Sequence, residues 1–329
     1  MRALQITELT GPDTALKLAD DLPEPTEAML TPGSGVIVDV HVAGVSFPEV
    51  LQTRGEYQFK PELPFVPGSE VGGVVRSAPE GSSFEPGDRV AAFSMLGAFA
   101  EVAAAPEHLT FKLPEALDFA QGAALILNYH TAYFALKLRG RLEADEWVLV
   151  HGAAGGVGTA AIQVAKGLGA KVIGVVSTDE KEAVARDAGA DAVVRSDGGW
   201  RDEAKEISGG GVHLVLDPVG GDRFTDSLRS LREGGRLVVV GFTGGSIPEV
   251  KVNRLLLNNT EVIGAGWGAY ILTKPQVNVE IGAEIDKLIA SGHVRPIIGA
   301  RFPLTAAADA LKLIDGRGAL GKVVLDVRE

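Results

Sequence analysis

The first part of the chain alternates short apolar runs with clusters of turn-forming residues. Val36–Val42 and Val71–Val75 are two such runs. The turn clusters around them are Thr31-Pro32-Gly33-Ser34-Gly35, Glu80-Gly81-Ser82-Ser83 and Glu85-Pro86-Gly87-Asp88. Short apolar runs bounded by Gly, Pro, Asp and Ser are typical of β-strands. The pattern predicts a β-rich region over residues 1–125, with its first strand at the N-terminus.

The middle of the chain has a different rhythm, in which apolar runs alternate with helical spacing. Helical spacing covers residues 117–138 and predicts two more helices, Gly156–Leu168 and Glu180–Ala188. Predicted strands are Trp147–Val150, Lys171–Val176, Val193–Val194, Val212–Leu216 and Arg236–Val240. Strands of a parallel sheet read as continuous Val, Ile and Leu runs because helices cover both faces. We therefore predict a doubly wound α/β domain here.

The pattern changes again after Gly268. Two helices are predicted over Ile281–Ala290 and Thr305–Leu313, the second with Thr305 as its N-cap, and Lys322–Val327 is a closing strand. A β-rich domain of residues 1–125 and 269–329 is thus predicted to be interrupted by an α/β domain of residues 126–268.

Composition and charge exclude several classes of protein. The chain has 329 residues, a net charge of −12 and no Cys. The negative charge argues against nucleic-acid and anionic-membrane partners, and the missing Cys excludes disulfides, thiolate metal sites and Cys nucleophiles. No apolar run reaches the roughly 18 residues of a membrane span, and Glu8 interrupts any signal-peptide pattern. We expect a soluble, cytoplasmic protein.

A glycine-rich turn is the first sign of chemistry. His151-Gly152-Ala153-Ala154-Gly155-Gly156-Val157-Gly158 follows a predicted strand and opens a predicted helix. Glycines here let the backbone turn sharply and approach a pyrophosphate, which the helix N-terminus attracts. The alternative is a tight connection without a ligand. In the strand–turn–helix context the motif predicts dinucleotide binding by Ala154, Gly155, Gly156, Val157 and Gly158. FAD is disfavoured because the motif lies in mid-chain.

The residues after the second strand of this domain favour NADP(H) over NAD(H). Sites for NAD often place a carboxylate there, whereas this chain has Ser177. Ser177, Lys181 and Arg195 are predicted to hold a 2′-phosphate. The alternative is that Ser177 and Glu180 form a capping box and that Lys181 is a solvated surface charge. Asp179 and Glu180 also place negative charge near the predicted site.

Several ordered segments resemble one family along nearly the whole chain. They are Gly44-Val45-Ser46-Phe47-Pro48-Glu49, Arg54-Gly55-Glu56-Tyr57, Pro64–Gly73, Gly87-Asp88-Arg89-Val90, Ala153–Gly158, Asp217-Pro218-Val219-Gly220-Gly221 and Gly321–Leu325. The chain resembles the zinc-free quinone oxidoreductase (zeta-crystallin-like) branch of the medium-chain dehydrogenase/reductase superfamily. The resemblance implies an α/β fold with a GroES-like β-rich catalytic domain and a Rossmann domain.

The resemblance also bears on zinc. The alcohol dehydrogenase branch has a Cys ligand where this chain has Ser46 and a His ligand where it has Ser69, and its structural zinc needs four Cys. Zinc sites use Cys, His or carboxylate ligands, and the six His here lack ligand spacing. We therefore predict no metal. The chain departs from its own branch at Ser46, which replaces Asn, and at Glu49, which replaces Asp.

The resemblance assigns catalytic candidates. Tyr57 corresponds to the Tyr proposed to donate a proton in related enoyl reductases, and an unperturbed phenol with a pKa of about 10 can donate at neutral pH. The alternatives are an aromatic lid or a turn residue. Ser46 and Asn128 are two further polar candidates.

The resemblance extends to the cofactor and to assembly. It places Thr131 near the nicotinamide carboxamide, with helix packing as the alternative. Gly241, Phe242 and Thr243 follow a strand and are predicted to border the nicotinamide. Lys322 matches a cofactor-contacting Lys; the alternative is a surface Lys on an edge strand.

The run Val262–Gly268 resembles an outer strand that pairs across a homodimer axis, with Trp267 lining the mouth of the substrate cleft. The alternative is a monomer in which a loop covers this edge.

The leading hypothesis is an NADPH-dependent reductase of quinones or related α,β-unsaturated carbonyls. One alternative is a 2-enoyl thioester reductase, in which Arg54, Lys60 and Arg254 would contact a CoA or carrier phosphate. Another is a cofactor-binding protein without turnover, since relatives serve as lens proteins. RNA binding, a side activity of such relatives, fits poorly with the net charge of −12.

Overall fold

A computed structural model describes residues 1–27, 30 and 34–328. The predicted turn at Thr31-Pro32-Gly33 lies outside the described residues. The chain forms two compact units, one from Met1–Leu127 with Pro296–Glu329 and the other from Asn128–Arg295. No helix in the described part of the chain combines the length and apolar composition that a membrane span requires.

The strands and helices are numbered in chain order. The strands are β1 (Ala3–Ile6), β2 (Leu16–Ala19), β3 (Gly35–Val45), β4 (Glu70–Ser77), β5 (Arg89–Phe93), β6 (Val102–Pro106), β7 (Thr110–Lys112), β8 (Trp147–His151), β9 (Lys171–Val176), β10 (Ala192–Arg195), β11 (Val212–Asp217), β12 (Leu231–Val239), β13 (Glu261–Gly264), β14 (Ile298–Pro303) and β15 (Lys322–Asp326). The α-helices are α1 (Phe47–Arg54), α2 (Phe119–Gly122), α3 (Thr131–Tyr133), α4 (Gly156–Gly167), α5 (Asp179–Asp187), α6 (Trp200–Ile207), α7 (Phe224–Ser230), α8 (Asn253–Asn258), α9 (Trp267–Thr273), α10 (Pro275–Ala290) and α11 (Ala307–Asp315).

The first unit is built on a largely antiparallel sheet, as the short apolar runs predict. Its strand order is β14-β15-β3-β4-β5-β7, with β6 also paired to β3, and β14 and β15 run parallel. Val36, Val38 and Val40 are fully buried on β3, and Val323 and Leu325 of β15 join the same core. Gly44 of β3 pairs with Glu70 of β4 and with Val324 of β15. This register places the first residues of β4 and β15 at the same end of the sheet.

The second unit is a parallel sheet with strand order β10-β9-β8-β11-β12-β13 among the described residues. Counted from β8, this is the order 3-2-1-4-5-6 of dinucleotide-binding folds. It confirms the predicted doubly wound sheet. The order reverses between β8 and β11, and ligands of such folds bind at the carboxyl ends of strands beside that point. The glycine-rich turn follows β8 and therefore lies there.

The second unit extends further along the chain than the predicted boundary at residue 268. Residues 269–295 belong to it because α10 packs within it. A side chain at Gly167 of α4 would touch Leu288, and Gln163 of α4 donates a hydrogen bond to the carbonyl of Arg295.

Several predicted element ends differ from the structure. A 3₁₀ turn, Leu304–Ala306, precedes α11, so Ala306 occupies the N-cap position predicted for Thr305. The helix predicted from Ile281 already begins at Pro275, a residue that suits a first helical turn.

The run predicted as an outer strand over Val262–Gly268 forms the shorter β13, and Trp267 begins α9. β13 is the last strand of its sheet, as predicted.

The helical region predicted over residues 117–138 is interrupted. It comprises α2, α3 and two π-helical segments, Ile126–His130 and Phe134–Arg139. The wider π turns are not visible in an apolar spacing of three and four residues. Such turns frequently occur at functional sites.

Candidate functional site

The glycine-rich turn has the geometry that close approach of an anion requires. Gly152 has a positive φ of 60°, and a side chain at Gly158 would collide with the carbonyl of Gly152. Gly155 is the N-cap of α4 and offers no capping side chain. All residues in the first turn of α4 are among the described residues, and none of them is acidic. Its free N–H groups and the helix dipole therefore suit a phosphate.

Asn128 lies beside this turn, and Thr131 follows Asn128 three residues later in the chain. Asn128 is buried in the first π-helical segment, and its amide nitrogen lies 2.7 Å from the position of a Cβ on Gly156. The small size of Gly156 thus leaves room for the Asn128 amide. Thr131 is buried at the start of α3.

The residues predicted to hold a 2′-phosphate gather around α5. Lys181 Nζ donates a hydrogen bond of 3.3 Å to Ser177 Oγ. Thr178, and not Ser177, caps α5, because its hydroxyl accepts the Lys181 N–H at 3.3 Å. The alternative capping box of Ser177 and Glu180 is therefore wrong.

Arg195 ends β10 and reaches the same helix. Its guanidinium pairs with Asp179 and, at 2.7 Å, with Glu182. Its Nη1 is buried and has no hydrogen-bond partner among the described residues. Ser177, Lys181 and Arg195 thus lie around one helix, and together they offer the hydroxyl, ammonium and guanidinium groups that a 2′-phosphate prefers. The two carboxylates compensate the charge of Arg195.

The loops after β11 and β12 are tied together. Asp217 accepts hydrogen bonds from the N–H groups of Val219 and Gly220 at 2.9 and 2.8 Å. Thr243 donates to the Pro218 carbonyl through both its N–H and its hydroxyl, each at 3.1 Å. Gly241 and Phe242 precede it at the carboxyl edge of the sheet. Burial raises the pKa of Asp217, although the two N–H groups oppose the change. The predictions did not single out Asp217 as an anchor of these loops.

Trp267, predicted to line the mouth of the substrate cleft, is 3% exposed. Its ring lies edge-on to His130, with 6.1 Å between the ring centres.

The first unit contains a second concentration of polar groups, which we call the polar cluster: Ser46, Glu49, Ser69, Glu70 and Lys322. Lys322 Nζ donates to Glu70 Oε2 at 2.6 Å and to Ser46 Oγ at 2.8 Å. Lys322 is 3% exposed, and β15 lies between β14 and β3. The alternative of a surface Lys on an edge strand is therefore wrong.

Glu70 is held by donors from two directions. Besides Lys322, it accepts the N–H of Leu127 at 2.9 Å at the start of the π-helical region. Burial raises the pKa of Glu70, while Lys322 and the Leu127 N–H oppose the change. Gly44 is required alongside, because a Cβ there would lie 2.8 Å from Lys322 Cε and would strike a backbone carbonyl.

Glu49 completes the polar cluster from the first turn of α1. Its Oε2 accepts the N–H of Ser46 at 2.8 Å, and its Oε1 accepts the Ser69 hydroxyl at 2.9 Å. Glu49 is 1% exposed, and burial raises its pKa to about 7. The sequence marked Glu49 only as a departure from its branch. The available signal was its position three residues after Ser46, a predicted catalytic residue.

Tyr57 follows the C-terminus of α1, where Gly55 turns the chain with a φ of 67°. Burial and the negative charge of Glu49 raise the pKa of the Tyr57 phenol. The phenol therefore keeps its proton at neutral pH, as a donor must.

The remaining predicted groups are dispersed or paired. Arg54 forms an ion pair with Asp315, while Lys60 is exposed on the first unit and Arg254 belongs to the second. Over residues 1–27, 30 and 34–328, no group of three or more His, Asp or Glu side chains is arranged to hold a metal ion. Metal independence itself stays a prediction.

Two family models match the sequence. An alcohol dehydrogenase GroES-like domain matches residues 32–115, and a zinc-binding dehydrogenase domain matches residues 156–280. Quinone oxidoreductase-like protein 2 of Mus musculus is 39% identical over 99% of this chain and 92% of its own length. Quinone oxidoreductase of Rattus norvegicus is 36% identical over 99% and 97%. The crystal structure of Escherichia coli quinone oxidoreductase complexed with NADPH superposes with a TM-score of 0.88 at 31% identity, covering 99% of this chain and all of that one.

Proposed function

Since this chain belongs to the quinone oxidoreductase branch of the medium-chain dehydrogenases/reductases, we propose that it uses NADPH to reduce quinones or related α,β-unsaturated carbonyls. One combined observation supports the proposal. A turn suited to phosphate follows β8, and Ser177, Lys181 and Arg195 gather at the ends of β9 and β10 in the same sheet. Relatives with the same fold are named quinone oxidoreductases, and one is complexed with NADPH.

The second unit supplies the binding groups for NADP(H) in this proposal. The turn Ala154–Gly158 and the N-terminus of α4 hold the pyrophosphate. Ser177, Lys181 and Arg195 hold the 2′-phosphate that distinguishes NADPH from NADH. Thr131, Gly241, Phe242 and Thr243 surround the nicotinamide. When bound, the cofactor supplies a hydride.

The first unit supplies the polar groups that act on the acceptor. Ser46 is half-buried, and its hydroxyl accepts from the Lys322 ammonium. A hydroxyl polarised in this way donates more strongly to a carbonyl oxygen that gains negative charge. Tyr57 is the proposed donor of the proton to the carbon beside the carbonyl of an enone, and Asn128 is a proposed polar contact of the reacting groups. Lys322 thus acts on the acceptor through Ser46, besides its predicted contact with the cofactor.

Zinc independence is part of the proposal. Ser46 and Ser69 are neutral hydroxyls, which are poor zinc ligands compared with thiolate and imidazole. The Lys322 ammonium lies 2.8 Å from Ser46 Oγ, so a second cation there would meet electrostatic repulsion. Polarisation by Lys322 takes the role that a metal has in zinc-dependent relatives.

We also propose a cytoplasmic homodimer that pairs through β13. This strand is the exposed end of its sheet, and unpaired strand edges need covering. The apolar side chains Val252, Leu256 and Leu257, which precede β13, are each more than 70% exposed. An isologous pairing would bury both features. Sedimentation should give a dimer mass, and L256D/L257D should give a monomer. A monomeric parent protein would refute the dimer.

Stopped-flow oxidation of NADPH and NADH tests the activity. The acceptors are 1,4-benzoquinone, 9,10-phenanthrenequinone and crotonyl-CoA. We expect rapid NADPH oxidation with both quinones and slow oxidation with crotonyl-CoA. Turnover with crotonyl-CoA alone would instead establish 2-enoyl thioester reduction. Tight NADPH binding without any turnover would establish a cofactor-binding protein.

A further inference from the structure

The polar cluster contains more carboxyls than cations. Glu49, Glu70 and Lys322 are all at least 97% buried, and fully ionised they would leave one uncompensated negative charge. The other titratable group facing Glu49 is the Tyr57 phenol, which is neutral when protonated. α11, which packs on α1, places Asp315 against Arg54 at the far end of that helix. Burying an uncompensated charge is costly, so the cluster favours one extra proton.

The hydrogen bonds identify the carboxyl that takes this proton. Glu70 accepts the Lys322 ammonium directly, together with the Leu127 N–H. Within the described part of the chain, the hydrogen bonds to Glu49 come from neutral donors, the Ser46 N–H and the Ser69 hydroxyl, and the Lys322 charge lowers its pKa only through space. A carboxylate in contact with an ammonium stays ionised in preference to one without such contact. Burial raises the pKa of Glu49 to about 7, so both its forms exist near neutrality.

We propose that Glu49 holds the proton taken up by the reduced acceptor and passes it through the Ser69 hydroxyl, a step that rests on the proposed function. Ser69 is 8% exposed and Glu49 1%, so Ser69 is the more accessible member of the pair. Ser69 is also the group whose hydroxyl touches Glu49, whereas Ser46 reaches Glu49 through its backbone N–H. Glu49 is a positioning residue in this scheme, because Ser69 contacts the acceptor.

The step balances in protons and electrons. Reduction of a quinone consumes one hydride, which NADPH would supply, and one proton, which goes to the reduced oxygen; Tyr57 serves the carbon of an enone and is not used in this step. Protonated Glu49 donates its O–H to Ser69 Oγ, which frees the Ser69 hydrogen to point away from Glu49. When Ser69 gives that proton to the anionic reduced acceptor, its O–H bond breaks and the Glu49 proton replaces it. Glu49 becomes a carboxylate, and it regains its proton from solvent when Ser69 takes up a proton and returns its own to Glu49.

Infrared difference spectroscopy tests proton storage without requiring turnover. The full-length protein is titrated and compared with E49Q, which keeps the side-chain size and an acceptor for the Ser46 N–H. We expect a protonated-carboxyl band that disappears with a midpoint near pH 7, is absent from E49Q and persists in S69A. The control variant E62Q, which changes an exposed Glu of the first unit, should keep the band. A band already lost below pH 5 would overturn the proposal.

The pH dependence of kcat tests proton delivery. We expect the wild-type kcat with 1,4-benzoquinone to fall above the Glu49 pKa of about 7, since only protonated Glu49 delivers. E49Q and S69A should lose at least about tenfold of kcat at pH 6.5 and show flat profiles, whereas E62Q retains the wild-type profile. A wild-type profile in E49Q would overturn the proposal.

The outcomes separate this proposal from the proposed function. If no acceptor is turned over, the proposed function and the delivery step both fail, while the infrared titration still decides whether Glu49 stores a proton. If E49Q does not fold, S69A provides the test. We expect S69A to keep the infrared band and to lose the pH dependence of kcat. Retention of both would refute proton delivery through Ser69.

Discussion

The candidate sites of the two units consist of different kinds of chemical group. The second unit uses the backbone: a glycine turn, the free N–H groups of α4 and loops at strand ends. The first unit uses buried side chains, where Lys322 meets Glu70 across 252 residues of sequence. A backbone site depends on local conformation and tolerates few side chains. A side-chain cluster depends on charge balance and long-range packing.

Removing the cation from the polar cluster should have the largest effect. K322M keeps the length of the side chain and leaves Glu70 buried without its cation. We expect the free energy of unfolding at pH 8 to fall by about 3–5 kcal/mol in urea titrations. The loss should be smaller at pH 5, because Glu70, whose pKa is raised by burial, then takes up a proton. K322M/E70Q should recover much of the stability, and a loss below about 1 kcal/mol in K322M would contradict the ion-pair argument.

The charge balance of the same cluster also predicts how stability depends on pH. Burial raises the pKa of Glu49 to about 7 in the folded chain, against the ordinary value of 4.5 that it has in the unfolded chain, so folding favours its protonated form. Its contribution is present below pH 4.5 and is lost as the pH rises to about 7, in total about 3 kcal/mol. Relative to the wild type, E49Q should therefore become more stable between pH 4.5 and pH 8. Parallel unfolding curves for the two proteins across this range would contradict the prediction.

The backbone site should respond to added volume and not to charge. G158A places a Cβ against the Gly152 carbonyl, and we expect a loss of about 1–3 kcal/mol in unfolding free energy together with weaker NADPH binding. G155A is the matched control for stability, because its Cβ would lie 3.5 Å from the same carbonyl and the φ of −83° suits alanine. Equal losses in both variants would mean that the collision is not the cause.

The smallest effect separates the two cofactors. K181Q removes one cation beside Ser177 and should weaken NADPH binding about tenfold, or about 1.4 kcal/mol, while NADH binding is unchanged. K251Q, at an exposed residue of the same unit, should alter neither. Fluorescence titration with both cofactors gives the ratio directly. Equal weakening of NADPH and NADH would remove Lys181 from the 2′-phosphate site.

The sequence predicted the backbone site better than the side-chain cluster, for a physical reason. Trp147–Val150, the glycine turn and the helix that follows are contiguous, so their local pattern specifies their geometry. Lys322 and Ser46 are 276 residues apart, and no local pattern states that they touch. Lys322 was predicted only from the family resemblance. Its burial in the structure then showed that the alternative of a surface Lys was wrong.

The predicted ends of some helices and the second domain boundary differ from the structure for related reasons. Thr305 has the chemistry of an N-cap, yet the 3₁₀ turn moves the start of α11 past it. Residues 269–295 carry a helical pattern that fits either unit, and tertiary packing of α10 against α4 assigned them. Glu49 was marked only as a departure from its branch, because a sequence cannot show that its buried carboxyl has no direct contact with the Lys322 ammonium.

The position of β15 imposes an order on biosynthesis. Asn128–Arg295 is contiguous, so the ribosome completes the parallel sheet before it translates Lys322. The nascent β-rich lobe meanwhile contains Glu49 and Glu70 without their cation and β3 without one of its neighbours. Its carboxyls stay hydrated or protonated until the last strand emerges. We therefore expect the first unit to complete its fold only after β15 is translated, so protease digestion of stalled nascent chains should find the middle of the chain resistant while the beginning is still cleaved.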